Sequence, residues 1–184
     1  MPEDADGEPQ PQAAHGFAPM LTFFGQTRWY PERQRVWANI TAALGLRASR
    51  VFRVFDDADF ARLVQNSSAR PPSSRPPASI FLNMFKNNPE DGANPVTFRV
   101  PKLLDAGALI ISLRCHPEDE AEVAGMVDFV EESDILPTFW RLAAQPPDAR
   151  RERAAQRRAL FRERFTPQRI FERAGIYGRL DRLL

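Results

Sequence analysis

The chain has 184 residues, which is the size of one ordinary folded domain. Hydrophobic residues make up 43% of it and charged residues 27%, a balance that excludes a fibrous or wholly disordered protein. The formal net charge is only +1, which excludes a whole-protein field that would steer the chain to nucleic acid or to an anionic membrane.

Residues 1–19 are predicted to form a leader. The stretch "MPEDADGEPQPQAAHG" is acidic and rich in proline, so it lacks the basic start and apolar run of a signal peptide. It holds too few apolar side chains to offset the entropy of ordering, and we expect it to be disordered.

No apolar run in the sequence approaches the roughly 20 residues of a membrane-spanning helix. We therefore expect a cytoplasmic protein without a membrane span.

Two strand and helix pairs open the predicted fold. The run 21–24 is short, apolar and aromatic, which is typical of a buried strand. The segment 31–45 has a helical apolar stripe that a proline opens and a glycine closes. The second pair is a strand at 50–55 and a short helix at 56–67 that begins with an aspartate cap.

The remaining elements follow a loop rich in proline, serine and arginine at 67–77, which can form neither a helix nor a paired strand. After this loop we predict strands at 79–85, 109–113 and 127–130, separated by helices at 94–106 and 118–124. Three helical segments complete the chain, at 134–145, 148–165 and 166–180.

The alternation of strands with helices predicts a parallel sheet, because each crossover returns to the same edge and does so right-handedly. The apolar runs also lack the polar alternation of a half-exposed sheet. We therefore predict an α/β fold, a Rossmann-like doubly wound parallel sheet of about five strands with extra C-terminal helices. The sheet domain would cover 20–145 and the extra helices 146–184. A strand order of 3-2-1-4-5 would place the ligand crevice between the first and fourth strands.

Candidate ligand contacts lie in the loops that follow the carboxyl ends of the strands. Gly25 would let the backbone approach a ligand closely, and Arg28 would pair with a phosphate through two hydrogen bonds. The opposing interpretation, in which Gly25 only ends a strand and Arg28 is solvated, is equally open.

The helix predicted after the third strand offers a second anion site. Asn94 is a good helix cap and a proline follows it, so the N–H groups near 96–98 would point at an anion. Arg99 and Lys102 are three residues apart and lie on neighbouring positions of one helical face. Pro101 would either bend this helix or mark its start.

Four stretches of the sequence resemble a known family. In order, "IFLNMF", "VTFRVPKLLDAGALIIS" and "EVAGMVDFV" are similar to the C-terminal half of GT-B glycosyltransferases, especially the spore-maturation-type group. In that group a strand ending in "LN" precedes a helix with an acidic residue and an arginine, and then a turn and strand similar to "EAL..G.lVIS". The stretch "LTFFGQTRWYPERQRVWANITAALGL" resembles the start of the same domain, and the similarity spans roughly residues 20–140.

The resemblance implies a Rossmann-like domain that binds a nucleotide-sugar donor and needs no cofactor. It implies hexosyl transfer once an N-terminal acceptor domain or subunit completes the cleft, since the chain is expected to hold only one half of such an enzyme. By the resemblance, Glu118 or Glu120 would lie in the loop after the fourth strand, and Thr97 stands where the family commonly has a glutamate that contacts the sugar. The donor-binding residues predicted here and above are Gly25, Arg28, Asn83, Asn94, Thr97, Arg99, Lys102 and Glu118.

No catalytic residue can be assigned from the sequence. The alternative function is a non-catalytic Rossmann-like module for binding or scaffolding, because a fold does not establish a function.

Other chemistry finds less support. Cys115 is the single cysteine, which excludes an internal disulfide, and the adjacent residues Cys115 and His116 cannot easily point at one metal or one reacting atom. We expect no metal site. The arginine-rich stretch 149–165 is a candidate for binding nucleic acid, but its apolar face favours a packing helix, and we do not expect nucleic acid as a partner.

Overall fold

The structure is a computed structural model that describes residues 19–24, 27, 30–51, 80–84 and 99–173. In these residues the strands are β1 (Leu21–Phe24), β2 (Ala48–Val51), β3 (Ile80–Asn83), β4 (Leu109–Leu113) and β5 (Asp128–Val130). The α-helices are α1 (Pro31–Leu44), α2 (Arg99–Asp105), α3 (Pro117–Glu122), α4 (Ile135–Ala143), α5 (Pro147–Arg164) and α6 (Pro167–Arg173). Short 3-10 helices cover Gly45–Arg47 and Glu132–Asp134.

The strands form one five-stranded sheet in the order β2-β1-β3-β4-β5, and every neighbouring pair is parallel. The predicted Rossmann-like α/β fold is confirmed. The predicted order 3-2-1-4-5 is wrong, because β3 rather than β4 lies beside β1. All four residues of β3 are buried, which suits a central strand, whereas β2 carries a serine and an arginine and forms an edge.

Helices cover both faces of the sheet, as a doubly wound fold requires. On the first face, called the α1 face, α1 and α4 pack against β1, β3 and β4 through Val36, Trp37, Ile40, Ile135, Phe139 and Leu142. On the opposite face, called the α2 face, α2 packs through Val100, Leu103 and Leu104 against Phe81 and Ile110. The helices after β1 and after β3 therefore lie on opposite faces.

The helix boundaries follow from proline and glycine. Pro31 is the first residue of α1, where its missing N–H costs no hydrogen bond, and Gly45 ends the helix at a φ of 53°, as predicted. Gly107 has a φ of 78° and turns the chain from α2 into β4, a conformation that strains residues with a Cβ. Pro101 lies inside α2, so the helix does not start there.

Most predicted elements lie within two residues of their observed positions. The strands at 21–24 and 109–113 match the prediction, and β2 starts at Ala48, two residues early. The predicted helix at 56–67, the loop at 67–77 and the leader, except for its last residue, lie outside the described residues. Among the described helices, none is long and apolar enough to cross a membrane.

The arginine-rich helix α5 packs on the sheet domain. Leu160 and Phe161 contact the α2 face of the core. Its arginines reach protein groups: Arg162 pairs with Asp105 at 2.7 Å, and Arg164 donates to the carbonyl of Glu122 at 3.0 Å. The predicted role of this segment as a packing helix is confirmed. The cap predicted at Thr166 is also present, since its Oγ1 accepts the N–H of Arg169 at 3.2 Å.

Candidate functional site: the crevice between β1 and β3

The observed strand order fixes where a ligand site is expected. In a doubly wound sheet the crevice lies beyond the carboxyl ends of two neighbouring strands whose following helices go to opposite faces. Here those strands are β1 and β3, with α1 on one face and α2 on the other. The region bounded by Tyr30–Arg33, Asn83–Met84 and Arg99 is called the β1/β3 crevice. The predicted crevice between the first and fourth strands is corrected to this position.

Arg33, in the first turn of α1, is the most unusual side chain of the crevice. The residue is only 5% exposed, although guanidinium groups are rarely buried. Its Nη2 donates to the carbonyl oxygen of Met84 at 2.5 Å, which ties α1 to the end of β3. Its guanidinium carbon lies 4.9 Å from the ring centre of Tyr30 and 5.8 Å from that of Phe23, both within cation–π range. The side chain is therefore held in one position.

A second, half-buried cation lies close to Arg33. Burial lowers the pKa of Arg99 at the start of the described α2. The pKa of Arg33 is lowered to about 10, first by burial and then by the charge of Arg99, against a smaller opposing effect of Tyr30. Both groups remain charged at neutral pH. Two like charges in a partly desolvated crevice repel each other, and such arrangements are typical of binding sites for anions.

The start of α1 adds to the positive potential. A helix N-terminus carries a partial positive charge from unpaired N–H groups, so an arginine in the first turn is placed unfavourably. The N-cap residue Tyr30 makes no side-chain cap hydrogen bond within the described part of the chain. Arg33 thus meets three unfavourable conditions at once: burial, a neighbouring arginine and a helix N-terminus. An anion in the crevice would relieve all three.

Asn83 is the last residue of β3, and its amide group is held inside the sheet. Its Nδ2 donates to Ser112 Oγ at 3.0 Å, and Ser112 lies directly opposite in the register of β4. Both residues are buried, and Ser112 Oγ in turn donates to the carbonyl of Leu113 at 3.0 Å. Asn83 therefore fixes the ends of β3 and β4 beside the crevice, and this amide nitrogen is already engaged by protein.

Half of the predicted donor-binding residues can be placed. Gly25, Arg28, Asn94 and Thr97 lie outside the described residues, and so does the predicted anion site at 96–98. These predictions stay predictions. Among the rest, Asn83 and Arg99 border the β1/β3 crevice, and Lys102 follows Arg99 by one turn of α2 and is half-buried.

Glu120 braces the loop after β4, whereas Glu118, which was predicted to contact the donor, is exposed. The Oε1 of Glu120 accepts the backbone N–H of Cys115 at 2.9 Å, and its Oε2 pairs with Arg114 at 2.8 Å. Arg114 also donates its backbone N–H to the carbonyl of Val130 at 3.2 Å. Glu120 therefore has a structural role in this loop, which its hydrogen bonds to the protein explain.

Cys115 belongs to this loop, and its thiol is buried and expected to be unreactive. Burial, reinforced by the charges of Glu120 and Asp119, raises the pKa of the Cys115 thiol to about 12. The nucleophile is the thiolate, so we expect negligible alkylation of the native protein by iodoacetamide at pH 8 and rapid alkylation after denaturation in urea. Mass spectrometry of the two samples checks this prediction, and equal labelling rates would show that the thiol is reactive in the native state.

A separate groove of about 420 Å³ opens between α1 and α4 on the α1 face. It is lined by Val36, Asn39, Ile40, Glu132, Ser133, Ile135 and Leu136. This lining contains no cationic side chain and one carboxylate, so it does not suit a phosphate ligand. The electrostatics favour the β1/β3 crevice as the anion site.

Arg33 was not among the predicted site residues, although the sequence contains a signal for it. It stands on the buried stripe of α1 with Val36, Trp37, Ile40 and Leu44 at helical spacing. A charged residue on an apolar stripe, placed at the end of the helix that disfavours its charge, indicates a functional position. The abundance of arginine throughout the chain obscured this signal.

The described residues contain no group of three or more histidine, cysteine or acidic side chains that could hold a metal ion.

Comparisons of the sequence with family models, with curated proteins and with solved structures found no match. The functional assignment therefore depends on the fold and on the chemistry of the crevice.

Proposed function

We propose that this chain is a donor-binding domain of the glycosyltransferase type, which holds the diphosphate of a nucleotide sugar in the β1/β3 crevice. The observation that carries the proposal is the pair of arginines at that crevice, Arg33 and Arg99. Their placement at the switch point of a doubly wound sheet is where such folds bind nucleotides. The resemblance of residues 20–140 to the C-terminal half of GT-B glycosyltransferases supports the same ligand class.

The chemistry of a diphosphate matches this crevice. A guanidinium group donates two parallel hydrogen bonds to phosphate oxygens and keeps its charge at every physiological pH. Arg33 comes from the α1 face and Arg99 from the α2 face, so a diphosphate between β1 and β3 would lie between the two. The partial positive charge at the start of α1 would attract the diphosphate as well.

In sugar transfer the bond between the sugar and the diphosphate breaks, and negative charge develops on the diphosphate oxygen that was attached to the sugar. Fixed cations that are aimed at this charge stabilise the transition state more than the ground state. We assign this role to Arg33 and Arg99, with Lys102 on the same helix as a further cation near the donor. The acceptor and the general base would come from an N-terminal domain or from a second subunit.

Calorimetric titration with a panel of uridine and guanosine diphosphate sugars tests the proposal. We expect binding of at least one donor, and Arg99→Ala should weaken it by about tenfold or more, the effect of losing one charge-assisted contact. Arg162→Ala is the matched control, because Arg162 is exposed on α5 and pairs with Asp105 away from the crevice. No heat with any donor on folded protein would contradict the proposal.

The alternative is a binding or scaffold module without transferase activity. The engagement of Asn83 with Ser112 favours it, because this amide nitrogen is not offered to a donor sugar. The two functions differ in one measurable respect: a module would bind the free nucleoside diphosphate as tightly as the sugar conjugate, whereas a donor domain would prefer the conjugate.

A further inference from the structure

A cluster of arginines surrounds Asp128, on the edge strand of the sheet and away from the β1/β3 crevice. Asp128 is the first residue of β5, and it lies opposite Ile111 in the register, on the α1 face. Its Oδ1 accepts a hydrogen bond from Arg153 at 3.0 Å, and its Oδ2 accepts one from Arg157 at 2.9 Å. Arg141 of α4 approaches Oδ1 at 3.8 Å, which is an ion pair rather than a hydrogen bond. These four residues are called the Asp128 cluster.

The charges of the cluster do not balance. Three guanidinium groups carry three positive charges and Asp128 carries one negative charge, so two positive charges are in excess. Within the described residues no second carboxylate pairs with Arg141, Arg153 or Arg157.

One hydrogen-bond donor of the cluster is also unsatisfied. Arg157 is only 6% exposed, and its Nη1 is buried without a hydrogen-bond partner among the described residues. Burial lowers the pKa of Arg157, and the nearby charges of Arg153 and Arg141 lower it further against the opposing effect of Asp128. A buried N–H that finds no acceptor among the described residues is costly, and it adds to the unbalanced positive charge of the cluster.

The cluster has an open side. The side chain of Arg141 is 54% exposed and that of Arg153 is 31% exposed, whereas Asp128 and Arg157 lie beneath them at 14% and 7%. An anion approaching from solvent would therefore meet Arg141 and Arg153 first. A phosphate group has enough oxygens to accept from several guanidinium groups, and its charge of about −1.5 to −2 near neutral pH matches the excess.

We propose that the Asp128 cluster is a second anion site, which binds a phosphate group between Arg141 and Arg153 above Arg157. The site is separate from the proposed donor site, because its residues come from β5, α4 and α5 and none of them borders the β1/β3 crevice. The phosphate would come either from the free ion or from a small phosphate monoester.

Titration of the full chain with inorganic phosphate and with glycerol 3-phosphate, at constant ionic strength set by chloride, tests this site. Saturable binding in the millimolar range or tighter is expected, and the tighter of the two probes identifies the source of the phosphate. Arg141→Ala should weaken binding by about tenfold, since one charge-assisted contact is lost. Because Arg141 is half-exposed, this variant is expected to fold.

Two further variants make the result specific. Arg162→Ala removes an arginine of similar exposure, 56%, that is paired one to one with Asp105, and it should leave phosphate binding unchanged. Arg33→Met removes a cation of the β1/β3 crevice, so the saturable phosphate binding that this variant keeps is assigned to the Asp128 cluster. The proposal is overturned if the wild-type chain shows no saturable binding, if Arg141→Ala binds as well as the wild type, or if Arg33→Met alone abolishes binding.

Discussion

Replacing Arg33 with methionine is expected to weaken nucleoside diphosphate binding by about 10- to 150-fold, the effect of losing hydrogen bonds from a charged donor. The reason is its position: the guanidinium is fixed by the carbonyl of Met84 and by two aromatic rings at the carboxyl ends of β1 and β3. Methionine keeps much of the side-chain volume, so the packing around Phe23 should persist. Calorimetric titration of both proteins with the best-binding diphosphate gives the ratio of dissociation constants.

The stability of this variant separates a functional role from a structural one. Loss of the hydrogen bond to Met84 destabilises the protein, but removal of a buried charge beside Arg99 stabilises it, so we expect the free energy of unfolding to change by no more than about 1 kcal/mol. A variant that binds poorly and folds normally identifies Arg33 as a ligand contact. A loss of several kcal/mol would identify it as a structural residue instead.

Arg35→Met is the matched control on the same helix. Arg35 is 53% exposed and pairs with Glu32 and Glu132 at the surface, and such pairs contribute little. We expect its diphosphate affinity to stay within about twofold of the wild type, since a screened surface charge acts weakly at a distance. Equal losses in the two variants would mean that the net charge, not the crevice, determines binding.

Replacing Asp128 with alanine is expected to destabilise the fold by about 3–5 kcal/mol, the usual effect of removing one partner from a buried ion pair. Asp128 is the acceptor for both Arg153 and Arg157, and Arg157 would stay buried with no counter-charge from the described residues. The loss should also detach α5 from the edge of the sheet. Equilibrium unfolding in urea measures the change in the free energy of unfolding.

Asp105→Ala provides the comparison for this prediction. Asp105 also pairs with an arginine of α5, at 2.7 Å, but both partners are more than half exposed, with 54% for Asp105 and 56% for Arg162. An exposed pair of this kind contributes at most about 1 kcal/mol. If the two aspartate variants lost the same stability, the burial of Asp128 would have no energetic consequence and the account of the cluster would be wrong.

Local features of the sequence predicted the described strands and helices well. The strand β1 and the helix α1 follow from an apolar run, a proline at the first helical position and a glycine at the end. The packing role of α5 follows from its apolar face. These features act over a few residues, so the sequence expresses them directly.

The order of the strands could not be read in the same way. Either β3 or β4 could lie beside β1. The outcome depends on the path of the crossover after β2, which is decided by burial across the whole domain. The apolar run Ile80–Leu82 of β3 was the available clue, since a strand buried on both faces belongs in the centre. The predicted crevice moved from β1 and β4 to β1 and β3 for this reason.

Only some of the crevice residues could be predicted, because local sequence shows which residues follow a strand, whereas the burial of a side chain depends on tertiary packing. Asn83 and Arg99, which border the crevice, were predicted from their places after the third strand and on the following helix, together with the resemblance. Arg33 was missed, because an arginine on a helix is ordinarily solvated and only the packing of α1 against β3 shows that this one is buried. The partners of Asp128 were missed for the same reason, since its arginines lie on two different helices.

The most direct measurement of the central claim is a titration of the isotope-labelled chain with uridine and guanosine diphosphate, followed by amide NMR shifts. The proposed function predicts that the shifts concentrate at Tyr30–Arg33, Met84 and Arg99–Lys102, around the β1/β3 crevice. Shifts confined to β5, α4 and α5, or no saturable shifts with either nucleotide, would contradict it.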